Sequence, residues 1–331
     1  MVRRAAAAHK RKAVGLGGAI LRSAFSVSAG HDYPMSVAIL FNPVSGGGRA
    51  LEHAQKIKSG LELDGVRSFL IATQARDASH WLDPMLWEKR KSLTVIVVCG
   101  GDGAVRLVAP SAIRANLPMW IVPCGTENLF ARGLGMRRDS MQFRHALRRM
   151  QTRKFDLGRA NGSPFVLMGS LGLDARVVHE LAANRRGPIS HLSYVRPVMQ
   201  CLVDWRAPHL AWELAGEREE LGRGIVIVSN CREYGARLNP SVAADPLDGL
   251  LDASFIPIRH GLDALQWLPM LRWGMQKYSP NLRERRAASI RVFSSEPEML
   301  QLDGEAAGSS RGETTIEFGV ERSALSVLLP G

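Results

Sequence analysis

The sequence predicts an α/β protein in two parts: an open, mostly parallel sheet at the N-terminus, followed by a mainly β, sandwich-like domain. Three observations carry this. Short apolar, β-branched runs alternate with helical stretches over residues 36–150, the order that gives a parallel sheet with crossover helices. Three of those runs end in loops rich in glycine and small polar residues. After residue 155 strand-length runs with turn signals dominate, beginning with the hairpin signal Asn161-Gly162.

Bulk properties fit this division. A length of 331 residues is about two domains, and 46% hydrophobic residues can form ordinary cores. The net charge of +12 and pI near 10.1 favour an anionic partner (nucleic acid, anionic lipid or polyphosphate) over a merely solubilising charge. Cys99, Cys124, Cys201 and Cys231 form no CxxC pair, so neither a disulfide framework nor a zinc site is indicated and a reducing compartment is expected. No apolar run approaches the roughly 18–20 residues that span a bilayer. Residues 1–34 hold Arg3, Arg4, Lys10, Arg11 and Lys12 without an acid, then a small apolar stretch broken by Arg22. They read as a basic, flexible tail outside the fold, with a transit-type leader or an over-long start before Met35 as alternatives.

The elements follow in order. Ser36–Phe41 is the first strand; a glycine loop over 42–48 precedes a helix near 49–58. Residues 66–72 form a second strand, and 78–90 a helix with Trp81, Met85 and Leu82 inward. Residues 93–100 are too uniformly apolar for a half-exposed strand and read as a buried parallel one. A helix over 105–115, a strand over 119–122, a short helix over 128–134 and a helix capped by Asp139 follow. In the second part, strands are expected at 155–160, 164–168, 209–214, 224–230, 251–256, 289–293 and 298–302, with helices over 174–205 (broken at Gly187-Pro188) and 262–277. The second domain spans 155–310. Residues 312–331, with strands at 314–318 and 324–329, are expected to return to the first domain.

The strand at 93–100 runs into Gly100-Gly101-Asp102-Gly103. Alone this reads equally well as a tight turn or as a phosphate loop, because glycines admit bare backbone N–H groups close to an anion. The loops Asn42–Gly48 and Gly125–Asn128 are predicted at the same carboxyl edge, where ligands of open α/β sheets bind. Three such loops favour a polyphosphate site. None is a Walker loop or a GxGxxG fingerprint.

Asn42-Pro43-Val44-Ser45-Gly46, Gly100-Gly101-Asp102-Gly103 and Gly125-Thr126-Glu127-Asn128-Leu129-Phe130-Ala131-Arg132 resemble the nucleotide-site motifs of the diacylglycerol kinase catalytic domain family, which includes bacterial soluble lipid kinases and sphingosine kinases. The resemblance continues through Gly169-Ser170-Leu171-Gly172-Leu173-Asp174, Asn239-Pro240, Asp245-Pro246-Leu247-Asp248-Gly249-Leu250 and Leu302-Asp303-Gly304-Glu305. It spans residues 36–330 in order. The Gly-Gly-Asp-Gly turn is shared with NAD kinases and phosphofructokinases, so the expected N-terminal fold is like theirs. Two positions depart from the pattern: Ala104 stands where Thr is usual, and Glu127 where Gly is usual.

The resemblance implies an ATP-dependent lipid kinase acting on a diacylglycerol-like or sphingoid hydroxyl. Asn42, Pro43, Val44, Ser45, Gly46, Thr73, Gly100, Gly101, Asp102, Gly103, Ala104, Val105, Arg106 and Thr126 would line the ATP site. Glu305 would accept the proton, with Asp303 supporting it or holding metal. Asp245, Asp248 and the Leu250 carbonyl would hold a structural Mg²⁺. A carboxylate beside a phosphate needs an intervening cation, so Asp102 also implies Mg²⁺. Without the resemblance, Asp102 reads as a cap for the helix that follows it, and Asp303-Gly304 and Asp248-Gly249 as plain turns. An NAD kinase-like enzyme with a soluble substrate and a non-catalytic nucleotide- or anion-binding protein are the alternatives.

A lipid substrate implies a cytoplasmic protein in peripheral contact with an anionic membrane, with no nucleic-acid partner; a homodimer stays open. Leu262, Leu265, Trp267, Leu268, Leu271 and Trp273 with Arg272 and Lys277 offer one apolar, basic helix, and Arg185, Arg186 and Arg196 flank another. Either also fits a core helix with a solvated basic edge. His179-Glu180 lacks the second His of a zincin, and Ser170 lacks the GxSxG setting of a nucleophile.

Overall fold

A computed structural model of the chain describes residues 35–183, 195–309 and 312–331. The basic tail over 1–34 and Arg185 and Arg186 lie outside the described residues.

The first layer comprises β1 (Ser36–Phe41), α1 (Arg49–Leu63), β2 (Arg67–Ala72), α2 (Leu82–Lys89), β3 (Leu93–Gly100), α3 (Asp102–Arg114) and β4 (Met119–Pro123). The order is β2-β1-β3-β4, and every pairing is parallel. Residues 95–99 of β3 are wholly buried, which is why this strand alternates so little. α3 buries Val105, Val108, Ala109 and Ala112, a spacing of three and four that seats one face on β3. The helix expected over 78–90 divides. A turn at Ala78–His80 is capped by Asp77, and α2 starts at Leu82 with Pro84 in its first turn, where a missing N–H is harmless. Trp81, Leu82 and Leu86 are buried; Met85 is only partly so.

The chain then forms α4 (Leu129–Gly133), α5 (Ser140–Arg149), β5 (Thr152–Ala160), β6 (Ser163–Phe165), β7 (Met168–Leu171), α6 (Leu173–Ala183), α7 (Val195–Asp204), β8 (His209–Leu214) and β9 (Glu217–Ser229). It continues through β10 (Leu251–Pro257), α8 (Ala264–Trp273), β11 (Arg283–Ala287), β12 (Ser289–Ser294), β13 (Met299–Leu302), β14 (Glu305–Ser309) and β15 (Thr314–Leu328). Antiparallel pairing makes this part a sandwich: β14-β13-β7-β9-β10-β11 on one side and β9-β8-β12-β15 on the other. β9 belongs to both sheets. Its core holds Phe165, Trp212, Phe255 and Phe318, with Phe165 and Phe318 edge to face at 6.1 Å between centroids.

The last strand joins the layers. The segments expected at 314–318 and 324–329 are one strand, β15. Its start pairs with β12, and its end lies parallel to β4 at Val327↔Met119 and antiparallel to β5. β9 starts seven residues before the expected 224, in charged sequence. β11 and β14 have no apolar alternation at all: Arg283-Glu284-Arg285-Arg286 is exposed and is a strand because β10 pairs with it.

Candidate active site

The three loops meet at the carboxyl edge of the parallel sheet. The Gly100 carbonyl accepts from Cys124 N at 3.0 Å, tying the end of β3 to the loop after β4. A Cβ on Gly125 would lie 2.6 Å from Gly101 Cα, and one on Gly46 would lie 2.7 Å from the Cys124 carbonyl oxygen. Only glycine permits these approaches, and Gly46, Gly47 and Gly48 all have positive φ. Asn128 braces the junction: its Oδ1 accepts from Gly125 N at 2.6 Å, and its Nδ2 donates to Gly125 O at 2.8 Å. Asn42 caps its own turn through Val44 N at 3.1 Å, and Thr73 N donates to Phe41 O at 2.9 Å. The predicted nucleotide-site residues of the first layer are thus brought to one edge. Pro43, Val44 and Thr126 are exposed there; Val105 and Ala104 are buried beneath it, with Ala104 Cβ in the space a Gly100 side chain would need.

Asp102 braces a neighbouring element. Its two carboxylate oxygens accept from Leu129 N at 2.9 Å and Phe130 N at 3.1 Å, so it caps α4 rather than the helix it begins. Two otherwise unpaired amides at a buried helix start demand such an acceptor. Burial pushes its carboxyl above the usual range, against the pull of those amides.

The β13–β14 turn brings the distant acids to the same edge. A Cβ on Gly103 would fall 2.0 Å from Glu305 Oε1, so that carboxylate rests on the glycine loop. Arg106 NH2, one turn into α3, pairs with Glu305 Oε2 at 2.8 Å. Arg106 Nε is buried without a protein acceptor, a donor suited to an anion beside the loop. Asp303 is buried, and its oxygens accept from Val166 N, Leu167 N and Met168 N at 2.8, 2.8 and 3.0 Å. Burial pushes it up to about 7, opposed by the three amides and Arg106. These three bonds hold the turn that carries Glu305.

Several residues here have no assigned role in the sequence reading. Gln301 Oε1 accepts from Gly304 N at 2.8 Å, and its Nε2 donates to Ser170 Oγ at 2.7 Å. Ser170 and Tyr234 donate to Asp174 Oδ2, the latter at 2.6 Å, and Asp174 Oδ1 is buried without a partner. Asp174 carries a motif signal; Gln301 and Tyr234 carry none. Asn128 belongs to a motif but shows its function only through Gly125.

The predicted Mg²⁺ set is engaged internally. Asp245 Oδ1 accepts from Leu247 N at 3.1 Å and Asp248 Oδ1 from Leu250 N at 2.9 Å. The other Asp248 oxygen meets Arg286, whose Nε also reaches Asp252 Oδ1 at 3.1 Å. Arg286 thus supplies positive charge beside Asp248 and Asp252. Among the described residues no group of three His, Cys, Asp or Glu side chains could hold a metal ion.

The fold defines an α/β protein with a β-sandwich-like C-terminal half, and the family follows from comparison with known proteins. Residues 36–160 match the diacylglycerol kinase catalytic domain, and residues 168–329 match the YegS C-terminal NAD kinase beta sandwich-like domain. The chain belongs to this bacterial lipid kinase family. It is 25% identical to a diacylglycerol kinase of Bacillus subtilis over 83% of this chain and 91% of that one. It is 27% identical to a diacylglycerol kinase of Mycobacterium tuberculosis over 89% and 95%. A crystal structure of a diacylglycerol kinase from Bacillus anthracis superposes with a TM-score of 0.63 at 16% identity, covering 91% of this chain and 98% of that one, and shares the fold.

Proposed function

We propose that this protein is an ATP-dependent lipid kinase that phosphorylates the hydroxyl of a diacylglycerol-like or sphingoid lipid, with Mg-ATP as the phosphoryl donor. One observation carries this: a carboxylate from the second layer, Glu305, lies on Gly103 of the glycine edge beside Arg106. Phosphoryl transfer needs phosphate positioning, charge neutralisation and a base at the acceptor hydroxyl. The glycine loops cradle the phosphates through backbone N–H groups. Arg106 offers its unpartnered Nε to the transferring group. Glu305 takes the hydroxyl proton as the lipid oxygen bonds to the γ-phosphorus and the bond to the ADP oxygen breaks. Asp303 and Gln301 are positioning residues for the turn, and Asp174 Oδ1 is a second acceptor near it. The relatives' names favour diacylglycerol as the acceptor.

The test is transfer from γ-labelled ATP to a total lipid extract, with the product identified by mass spectrometry. A phosphorylated lipid is expected, and Glu305→Gln should lower its formation by at least about 10²-fold without unfolding the protein. Absence of any labelled lipid from wild-type protein would overturn the proposal.

A further inference from the structure

α8 is apolar on two sides, and only one of them is used. Trp267 and Leu271, four residues apart, are buried against the core. Leu265 and Leu268 face outward, 49% and 44% exposed, with Leu262 before the helix 58% exposed and Trp273 at its end 70% exposed. Isolated surface leucines are ordinary, but a stripe of this kind is not. The neighbouring helix α7 packs against the turn that leads into α8 and exposes Met199 and Val203.

The charge around this stripe is mainly basic, with Asp204 at the end of α7 and Asp263 before α8 as its nearby acids. No Asp or Glu occurs between Asp263 and Glu284, while Arg272 and Lys277 do, and Arg283, which pairs with Glu219 at 3.0 Å. Beside α8, a cavity of about 960 Å³ is lined by Arg206, Arg223, Arg259, His209 and His260, with Asp263 as its acid. Asp263 is occupied: its Oδ2 accepts from Arg259 N and His260 N at 2.8 and 2.9 Å. Arg223 pairs with Glu296 at 3.2 Å. Among the described residues Arg206 donates to the backbone carbonyls of Val203 and Trp205, at 3.4 and 3.3 Å.

We infer that the exposed face of α8, with the adjoining arginine cavity, is the surface by which this protein docks on an anionic lipid bilayer. The apolar stripe enters the interface between headgroups and chains, and the cavity receives a phosphate-bearing headgroup. The occupant is argued from charge: a second copy of this chain would bring the same basic surface against itself, whereas an anionic bilayer complements both features at once. The docking surface rests on the lipid-kinase proposal only for its purpose, since a substrate dissolved in a membrane must be reached there. α6, which begins beside Asp174, packs on α7, and α7 on the turn before α8, so helices link the site to this face.

The test is co-sedimentation of the full chain, without ATP, with vesicles of phosphatidylcholine alone or mixed with phosphatidylglycerol. Wild type should bind the mixed vesicles and not the neutral ones. Leu265→Asp with Leu268→Asp should weaken binding at least about tenfold, while Leu63→Asp, an exposed leucine on α1, should not. Arg206→Glu with Arg259→Glu should abolish the preference for phosphatidylglycerol. Brominated acyl chains should quench Trp fluorescence in wild type and much less in Trp273→Phe, a readout that survives if the leucine pair fails to fold. Wild type that ignores the mixed vesicles overturns the inference. So does a folded leucine variant that binds as wild type does, or one whose only change is from dimer to monomer. Phosphorylation of a water-soluble short-chain diacylglycerol is scored separately, so loss of docking and absence of kinase activity are distinguishable.

Discussion

Gly103 and Glu305 are 202 positions apart in sequence, yet one methyl group would separate them. Gly103→Ala would place Cβ 2.0 Å from Glu305 Oε1, and Gly103 is not strained in its own backbone. The expected result is a fall in kcat of about 10²-fold from displacement of the proposed base, with stability changed by less than about 1 kcal/mol. Comparing turnover with the denaturation midpoint checks both halves. A second residue-scale prediction concerns protons. Burial pushes Glu298 and Asp303 each up to about 7, from ordinary values of 4.5 and 3.8. The folded protein therefore holds protons that the unfolded chain has released between about pH 4 and 7. Stability contributed by these groups is full below about pH 4 and declines as pH rises through 7. Urea denaturation across this range should show that slope, and Glu298→Gln, remote from the loops, should flatten it. Glu305 is legible in the sequence as an acid of a motif. Its contact with Gly103 and its pairing with Arg106 are not, because no local pattern links α3 to the β13–β14 turn.

At the scale of elements, the acids expected to hold metal also bond to backbone or arginine. Asp102 satisfies the first amides of α4, a helix 27 residues further on. Asp102→Ala should therefore cost about 1–3 kcal/mol in chemical denaturation, and the loop at Gly125 should loosen with it. In the loop before β10, Arg286 stands between Asp248 and Asp252, and Asp252 is mostly buried. Arg286→Ala should destabilise by about 1–2 kcal/mol. A chelator should leave the thermal midpoint of the nucleotide-free protein unchanged, measured by differential scanning calorimetry. A midpoint that falls on chelation would restore a resident metal to Asp245 and Asp248. The sequence reading missed β11 and β14 for a common reason: strands at a sheet margin need a partner's hydrogen bonds, not an apolar face of their own.

Across the whole molecule, β15 binds the two halves into one compact unit. It leaves the sandwich beside β12 and finishes next to β4. A chain ending before residue 324 would remove Leu325, Val327 and Leu328, all fully buried, and expose the β4 edge. Such a truncation should lose the cooperative unfolding transition of the first layer as well as the second, followed by circular dichroism. The same long strand ties the site together: the glycine edge is built by residues 42–128, the proposed base is residue 305, and β15, paired with β5, joins the two layers that carry them.

The sequence by itself determined the parallel layer, the mainly β half, the three glycine loops and their order, because burial on both faces and turn chemistry are written in local composition. It also pointed to Glu305 through a motif. Only the tertiary structure decided where each acid sits and what it bonds to. Asp102, Asp303, Asp248 and Glu305 look alike along the chain, each an acid next to glycine or close to one. Asp102 and Asp303 are drawn to buried amides, Asp248 to Arg286, and Glu305 to Arg106 at the mouth of the loop. That division depends on which donors the fold buries nearby, and donors brought together across β7, β13, α3 and α4 have no shared signature in the sequence. The same holds for α8, whose apolar residues read as one class until packing covers Trp267 and Leu271 and leaves Leu265, Leu268 and Trp273 outside.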